Sequence, residues 1–374
     1  MRTPRLWIAL HLLAALLPTL GLVFHLPDHP LGGWIFPPAP PKVTSEDWRT
    51  EKSQEQIKVW FEHFLGFRGI LARTDNSVFY APLGETKPGA SVKLGHRGTL
   101  FVDDDVWFSQ KRPQDLPSVE HMRSTAKLVA EAQRRAAEKG KTLAVLLAPP
   151  KTAFYREDLP RDWQRREPPA VPADTVVYTL LRDALVDAGA RFADGRAILG
   201  KEPNRELVYA PLGRHWTALG ACIVARETTG GVIGPLPCRH RMIHPDEATN
   251  SDVDLFWLLN TWHPFGGPLP LVPEVVPESP PAERPRTLFI GSSFSWLIID
   301  ALRPFVREPH FFYYNSSVYD ASTRLPPVLD KVDPNAPSWA RYALEKDLYV
   351  LEIFEGYAHG NEAKDFLTAL IARL

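Results

Sequence analysis

The feature that most constrains this chain is the stretch 287–296, where an apolar run meets a glycine and a cluster of hydroxyl groups. The β-prone residues before Gly291 predict a buried strand, and the apolar spacing after it predicts the first turn of a helix. At such a corner, free backbone N–H groups can hold an oxyanion. We therefore interpret Ser293 as a candidate nucleophile, with Gly291 and Ser292 as candidate oxyanion or substrate contacts. The alternative is a serine-rich helix N-cap after a core strand.

Further apolar runs predict core strands at residues 142–147, 190–192 and 348–353, and amphipathic patterns predict helices at 119–139 and 175–188. This alternation predicts an α/β domain with a mainly parallel sheet. Ligands of such sheets bind outside the carboxyl ends of the strands. Ser293 and the turn Pro149-Pro150-Lys151 are both expected there.

The amino terminus has the pattern of a membrane anchor. Residues 6–24 are almost entirely apolar and follow Arg2 and Arg5. As a helix this run would span roughly 28 Å, close to the thickness of a bilayer core, and the arginines favour a cytoplasmic amino terminus. We expect an uncleaved anchor at 1–25, with a cleaved signal peptide as the alternative. A Pro-rich linker at 26–44 and a domain at 45–374 would follow, outside the cytoplasm and anchored to the inner membrane.

The composition limits the possible functions. The chain has 374 residues, 44% hydrophobic residues and a net charge of −1. This composition is that of a folded protein, and it gives no support for nucleic-acid binding as the main function. The two cysteines, Cys222 and Cys238, could pair in an oxidising compartment or remain buried thiols. No metal site and no cofactor are expected, because no thiolate or histidine spacing is typical of zinc.

A serine needs a base before it acts as a nucleophile, and histidine is the usual base at neutral pH. Among twelve histidines, His215 has the most suitable setting. It precedes a helix that we expect to begin with Thr217 as N-cap, and it stands between Arg214 and Trp216. The alternative is a surface histidine near a helix start.

Several blocks of the sequence, taken in order, resemble the SGNH-like acetyltransferases of the alginate O-acetyltransferase family. These blocks are Trp60-Phe61-Glu62-His63 with Gly66-Phe67-Arg68, Val92-Lys93-Leu94-Gly95 with Gly98-Thr99-Leu100-Phe101, Ala148-Pro149-Pro150-Lys151, His215-Trp216-Thr217-Ala218-Leu219-Gly220-Ala221, and Gly291-Ser292-Ser293-Phe294-Ser295. The resemblance covers most of the chain after the linker.

The resemblance implies a three-layer α/β/α SGNH-hydrolase-like domain after one transmembrane helix, and an exported enzyme that acetylates hydroxyls of an exopolysaccharide. It assigns the general base to His215 and the acetylated nucleophile to Ser293. It also implies a membrane-bound O-acyltransferase partner that supplies acetyl groups. Trp216 and Trp296 are candidates for stacking on sugar rings, with burial in the core as the alternative, and Arg214 is a candidate substrate contact.

One departure from the family pattern bears on activity. The family carries Asp two residues before the histidine, and this chain has Gly213 there. That acid normally holds the imidazole tautomer. Asp194, Glu206 and Asp246 are candidate substitutes because they lie in flanking loops. Either such an acid takes its place, or a Ser–His dyad acts alone, or the protein is a weak or inactive polysaccharide-binding component. A carbohydrate esterase of the same fold, with water as the acceptor, is a separate alternative. A second, milder departure is Gly356 after Glu355, where the family often has arginine.

Overall fold

The structure is a computed structural model that describes residues 7, 16–21, 23–24, 28–33, 37–87, 90–109, 116, 118–160, 173–245, 250–262, 269–277, 279–324, 326–358 and 360–374. These residues belong to two compact units. Unit 1 comprises Met1–Val92 and Phe256–Pro268, and unit 2 comprises Lys93–Leu255 and Leu269–Leu374.

The described helices are α1 (Ser45–Arg49), α2 (Lys52–Phe64), α3 (Arg68–Leu83), α4 (Asp103–Ser109), α5 (Val119–Glu138), α6 (Ala173–Asp187), α7 (Gly195–Leu199), α8 (Ala218–Thr229), α9 (Asp254–Leu258), α10 (Ser295–Leu302), α11 (Pro337–Trp339) and α12 (Glu362–Arg373). The described strands are β1 (Val92–Leu94), β2 (Leu100–Val102), β3 (Thr142–Ala148), β4 (Ala193–Asp194), β5 (His240–Ile243), β6 (Val272–Val275), β7 (Arg286–Gly291), β8 (Arg307–Tyr313), β9 (Ser317–Asp320), β10 (Val328–Lys331) and β11 (Leu348–Phe354).

A seven-stranded mixed sheet forms the centre of unit 2, with the strand order β10-β9-β8-β7-β11-β3-β4. The pairs from β8 to β4 are parallel, and the β10-β9-β8 edge is antiparallel. The interior strand β11, between β7 and β3, is buried along its whole length. This burial on both faces is typical of a parallel strand covered by helices on either side.

The two faces of the sheet carry separate apolar cores. One core packs α8 and α10 against residues such as Phe289 and Val350. The other packs α5, α6 and α12 against residues such as Ile290 and Leu351. Because neighbouring residues of a strand point to opposite faces, each strand contributes to both layers. The result is the three-layer α/β arrangement that the sequence predicts.

Most local predictions are confirmed, and the differences have simple causes. Ser118 caps α5 by accepting from the His121 N–H, and Thr217 caps α8 by accepting from the Gly220 N–H. The strand predicted at 190–192 forms instead at β4, where residues 193 and 194 pair with β3. The antiparallel edge formed by β8, β9 and β10 has no counterpart in the sequence predictions, because its strands depend on sheet pairing rather than on long apolar runs.

Most of the predicted anchor lies outside the described residues. Within the ranges that the structure describes, no helix is long and apolar enough to cross a membrane. In the predicted linker, Asp28 accepts hydrogen bonds from the N–H groups of Gly69 and Ile70, and the Pro30 carbonyl accepts from Arg73. The described residues around Asp28 therefore pack against α3 of the same unit rather than extending freely.

Cys222 of α8 and Cys238, which precedes β5, form a disulfide, and the two cysteines are 16 positions apart in the sequence. Of the two alternatives that the sequence leaves open, the structure has the paired one. Both cysteines are buried in the core that covers the α8 face of the sheet. The disulfide therefore ties α8, the helix that follows His215, to the small β5-β6 sheet.

We expect the variant Cys222→Ala/Cys238→Ala to lower the free energy of unfolding by about 3 kcal/mol, because the bridge no longer restricts a loop of this length in the unfolded chain. Urea denaturation of wild type with and without reductant, beside the variant, measures the effect. Reductant should lower the wild-type midpoint and leave the variant unchanged. Equal midpoints for oxidised wild type and variant would contradict the expectation.

Candidate active site

Ser293 lies in the tight turn that joins β7 to α10, at the carboxyl end of the sheet. The turn is closed by the Ser295 N–H, which donates to the Ser292 carbonyl at 3.1 Å. Ser292 and Ser295 are buried, whereas Ser293 is half-buried at the surface of the turn. The strand–turn–helix corner predicted from the sequence is confirmed, and it leaves Ser293 as the accessible hydroxyl of the three.

The carboxyl group of Glu352, on β11, holds this turn by hydrogen bonds. Glu352 Oε2 accepts hydrogen bonds from the Ser292 N–H at 2.7 Å, from Ser292 Oγ at 2.8 Å and from Ser295 Oγ at 3.0 Å. Glu352 is 4% exposed, and burial raises the pKa of its carboxyl against the opposing effect of these hydrogen bonds. Sequence reasoning did not single out Glu352, because its partners lie about sixty positions away along the chain.

Gly291 is needed for close packing rather than for a special backbone angle. A Cβ atom at this position would lie 2.4 Å from Ser295 Oγ and 2.5 Å from Glu352 Oε2. The glycine therefore admits the carboxyl group that binds the turn.

His215 lies next to Ser293. Its Nε2 atom is 2.9 Å from Ser293 Oγ, which is hydrogen-bonding distance. The imidazole packs edge-on against the Phe294 ring, with centroids 4.7 Å apart, and its side chain is 16% exposed. The structure thus brings together the two residues that the sequence offers as base and nucleophile.

The acid beside His215 is Asp254, the first residue of α9. Its Oδ2 is 3.4 Å from His215 Nδ1, and its Oδ1 accepts from the Arg214 N–H at 2.9 Å. The acids suggested by the sequence are placed otherwise. Asp194 caps α7 and accepts from the Tyr178 hydroxyl, Glu206 lies in the 3₁₀ turn Arg205–Leu207, and Asp246 lies outside the described residues.

The space beside Gly213 explains why the acid comes from a distant segment. A Cβ atom on Gly213 would lie 2.7 Å from the Ser251 carbonyl and 2.8 Å from the Asp252 carbonyl. The 3₁₀ turn Ser251–Val253 therefore fills the space that a side chain at 213 would need. The next residue, Asp254, lies beside the imidazole of His215. The sequence signal that could have predicted this turn is Asn250, whose side chain caps the turn by accepting from the Asp252 N–H.

Asp252, two residues before Asp254, is buried. It is 3% exposed and its Oδ1 has no hydrogen-bond partner. Burial, with a further contribution from the Asp254 charge, raises the pKa of Asp252 to about 8, which favours its neutral form. The carboxyl group that contacts His215 is that of Asp254.

Arg214 points away from the imidazole rather than toward it. Its guanidinium donates to Asp105 Oδ1 at 3.0 Å and approaches the Tyr357 hydroxyl at 3.5 Å. Burial opposes its charge, but Asp105 and the Tyr357 hydroxyl together outweigh that effect, so the pKa of Arg214 is raised. The positive charge of Arg214 is therefore balanced by the Asp105 carboxylate.

Of the two alternatives for Trp216, sugar stacking and burial in the core, the structure has the core one. Trp216 is 0% exposed and packs edge-on against Phe294 in the core, with centroids 5.0 Å apart. Its ring packs against the residue after Ser293 and leaves no face for a ligand. Trp296 is half-buried among Phe311, Tyr313 and Tyr319.

A small cavity of about 50 Å³ opens beside the serine turn, lined by Gly291, Ser292, Tyr314, Asn315 and Glu352 among others. Two buried oxygens on its wall, Glu352 Oε1 and Asn315 Oδ1, have no hydrogen-bond partner. Tyr314 and Asn315 both have positive φ values, 48° and 47°, a backbone conformation that side chains other than glycine adopt at a cost. Burial raises the pKa of Tyr314, against a hydrogen bond with Ser293.

Comparison with protein families gives a match over part of the chain. Residues 92–233 match the model of a family described as "SGNH hydrolase-like domain, acetyltransferase AlgX". The resemblance predicted from the sequence motifs is confirmed. The matched segment contains Lys151, Gly213 and His215 and ends before Ser293. A comparison with curated proteins gave no significant match.

Solved structures give distant matches. The O-acetyltransferase domain of Pseudomonas putida AlgJ matches at 17% identity and TM-score 0.46, covering 76% of this chain and 99% of that one. A DHHW family protein from Eubacterium siraeum matches at 12% identity and TM-score 0.40, with coverages of 65% and 88%. Pseudomonas aeruginosa AlgX matches at 14% identity and TM-score 0.40, with coverages of 73% and 63%.

Proposed function

We propose that this protein is an exported O-acetyltransferase that transfers acetyl groups to hydroxyls of an exopolysaccharide through an acetyl-serine intermediate. The observation that carries the proposal is the continuous contact from Asp254 through His215 to Ser293, with distances of 3.4 and 2.9 Å. This is the arrangement that activates a serine for acyl transfer. The family description of residues 92–233 supports acetyl transfer as the reaction class.

In the proposed first half-reaction, His215 Nε2 takes the proton of Ser293 Oγ while Oγ attacks the carbonyl carbon of the acetyl donor. The backbone N–H of Ser293 and one from a neighbouring loop stabilise the oxyanion of the tetrahedral intermediate, because the N–H groups of Phe294, Ser295 and Trp296 already donate within the turn. As the intermediate collapses, the donor's leaving group takes the proton from His215, and acetyl remains on Ser293.

In the second half-reaction, His215 takes the proton of a sugar hydroxyl whose oxygen attacks the acetyl-serine carbonyl. The intermediate then releases Ser293 Oγ, which recovers the proton from His215. Asp254 stays ionised throughout and stabilises the imidazolium that forms in both steps. Glycine at 213 is the reason for the inactive alternative, and an acid at Asp254, 3.4 Å from His215 Nδ1, supports the active one.

We also propose the cellular setting that the resemblance implies. Residues 1–25 would anchor the chain in the inner membrane, residues 26–44 would form the linker, and residues 45–374 would carry the chemistry outside the cytoplasm. A membrane-bound O-acyltransferase would supply the acetyl groups. The apolar run at 6–24 after two arginines, and the disulfide, both support export.

The test uses the full-length chain, purified in detergent and incubated with an aryl acetate. We expect mass spectrometry to find acetyl on Ser293 in wild type, and none in Ser293→Ala or His215→Ala. Ser322→Ala, which removes an exposed hydroxyl outside the site, is the matched control and should acetylate as wild type does.

Adding a sugar acceptor then separates transfer from hydrolysis. Acetyl that leaves Ser293 for an oligosaccharide supports the acetyltransferase, whereas acetate released at the same rate with and without sugar supports the esterase. A folded wild type that never gains acetyl on Ser293 would contradict both.

A further inference from the structure

The proposed chemistry does not use Lys151, although it is among the most buried charged residues of the described chain. Lys151 begins the 3₁₀ turn after β3 and is 1% exposed. Its ammonium donates to three backbone carbonyls, those of Leu100 at 2.8 Å and of Pro211 and Gly213 at 2.7 Å. All three donors of the amine are therefore used, and a neutral amine could keep only two of these hydrogen bonds.

One of these carbonyls belongs to the peptide group that also contacts the acid of the site. The carbonyl of the Gly213–Arg214 peptide accepts from Lys151, and its N–H donates to Asp254 Oδ1 at 2.9 Å. Asp254 Oδ2 faces His215 Nδ1. A continuous chain of polar contacts thus runs from the ammonium, through one peptide group, to the carboxylate and the imidazole.

The other carboxylates near Lys151 already have cationic partners. Asp158 is bound by Arg97 and Arg205, each at 2.6 Å. Asp105 is bound by Arg214 at 3.0 Å. Asp254 is therefore the nearby carboxylate whose charge is balanced by no arginine contact within the described residues.

We infer that Lys151 is a positioning residue whose ammonium holds the Gly213–Arg214 peptide and, through it, keeps Asp254 aimed at His215. The inference rests on the proposed function, because it concerns activation of Ser293. The ammonium polarises the shared peptide, so the Arg214 N–H is a stronger donor to Asp254. Its positive charge also attracts the Asp254 carboxylate.

The charge of Lys151 is sensitive to pH near neutrality. Burial lowers its pKa to about 7, against the opposing charges of Asp254, Asp105 and Asp158, and Arg205 lowers it further. Below this pH the ammonium is charged and the contacts described above are complete. As the pH rises through about 7, the amine loses its proton and one carbonyl loses its donor. Activation of Ser293 should therefore weaken on the alkaline side.

The experiment measures how fast an aryl fluorophosphonate labels Ser293 in the full-length protein between pH 5.5 and 10, a range set by the approximate pKa values above. This probe reports on the nucleophile without an acetyl donor or a sugar. Lys151→Gln keeps two donors for the carbonyls but removes the charge. Lys141→Gln is the matched control, because Lys141 also donates to two backbone carbonyls, at Leu344 and Lys346, away from the site.

In wild type and in Lys141→Gln we expect the labelling rate to fall as the pH rises above about 7. In Lys151→Gln we expect a labelling rate lower by about tenfold or more at pH 6, which corresponds to the free energy of one charge-assisted hydrogen bond. The rate of this variant should not fall at alkaline pH.

A folded Lys151→Gln that labels as wild type does would overturn the inference alone. A wild-type rate that does not fall up to pH 10 would overturn it even if Lys151→Gln does not fold. Wild type that never labels at Ser293 would overturn the proposed function and the inference together.

Discussion

Replacing Asp254 by asparagine is expected to lower kcat for acetyl transfer by about a thousandfold or more, as neutralising the acid of a serine triad does in other enzymes. The amide oxygen of the new side chain can still accept from the Arg214 N–H, so the loop should keep its shape. The amide nitrogen would then face His215 Nδ1 and donate to it. The imidazole would carry its proton on Nε2, where it cannot accept the proton of Ser293. Single-turnover acetylation of Ser293, followed by mass spectrometry, measures the loss.

Controls for Asp254→Asn come from the acids that the sequence alone suggests. Asp194→Asn retains a good helix cap, and Glu206→Gln retains the shape of the 3₁₀ turn, so both should react within about threefold of wild type, as surface substitutions away from a site usually do. If Asp194→Asn abolished acetylation and Asp254→Asn did not, the assignment of the acid would be wrong.

The double variant Gly213→Asp/Asp254→Asn tests the geometry further. It restores the acid at the position where the family carries it, yet a Cβ there meets the Ser251 and Asp252 carbonyls. We expect no recovery of activity and a lower melting temperature than that of Asp254→Asn. Recovery of the rate would show that the 250–254 segment can move aside.

Replacing Glu352 by alanine is expected to lower the free energy of unfolding by about 3 kcal/mol or more and to abolish acetylation of Ser293. The change leaves the Ser292 N–H and the hydroxyls of Ser292 and Ser295 buried without their acceptor, and each buried unsatisfied group costs about 1–3 kcal/mol. The turn that presents Ser293 then loses its link to β11. Urea denaturation gives the stability, and aryl acetate turnover gives the activity.

Glu352→Gln is the matched control for this carboxyl. Its amide oxygen can accept from the same groups, and its NH₂ would enter the cavity where Asn315 Oδ1 lacks a donor. We expect this variant to stay within about 1 kcal/mol of wild type, the range of a single net hydrogen bond, and to remain acetylated. If both variants lost stability equally, hydrogen bonding by Oε2 would not be the reason for the loss.

The sequence predicts the parts of this site that depend on local pattern. An apolar run before Gly291 indicates a strand, and the spacing after Ser293 indicates a helix. A threonine before an apolar helix predicts the cap at Thr217, and that cap places His215 at a helix start. These signals are local because capping and periodicity involve residues a few positions apart.

The partners that complete the site were decided by the tertiary structure. Asp254 lies 40 residues from the Arg214 N–H that it accepts from, Glu352 lies 60 from Ser292, and Lys151 lies 62 from Gly213. No local pattern relates such pairs, because they meet only when β3, β7 and β11 align in one sheet and the 250–254 segment packs on Gly213. For the same reason the sequence shows the family's acid missing at 213, whereas the fold supplies an acid from Asp254. Burial of Trp216 was likewise settled by packing, since an aromatic beside a histidine has the same sequence signature in a core as at a binding surface.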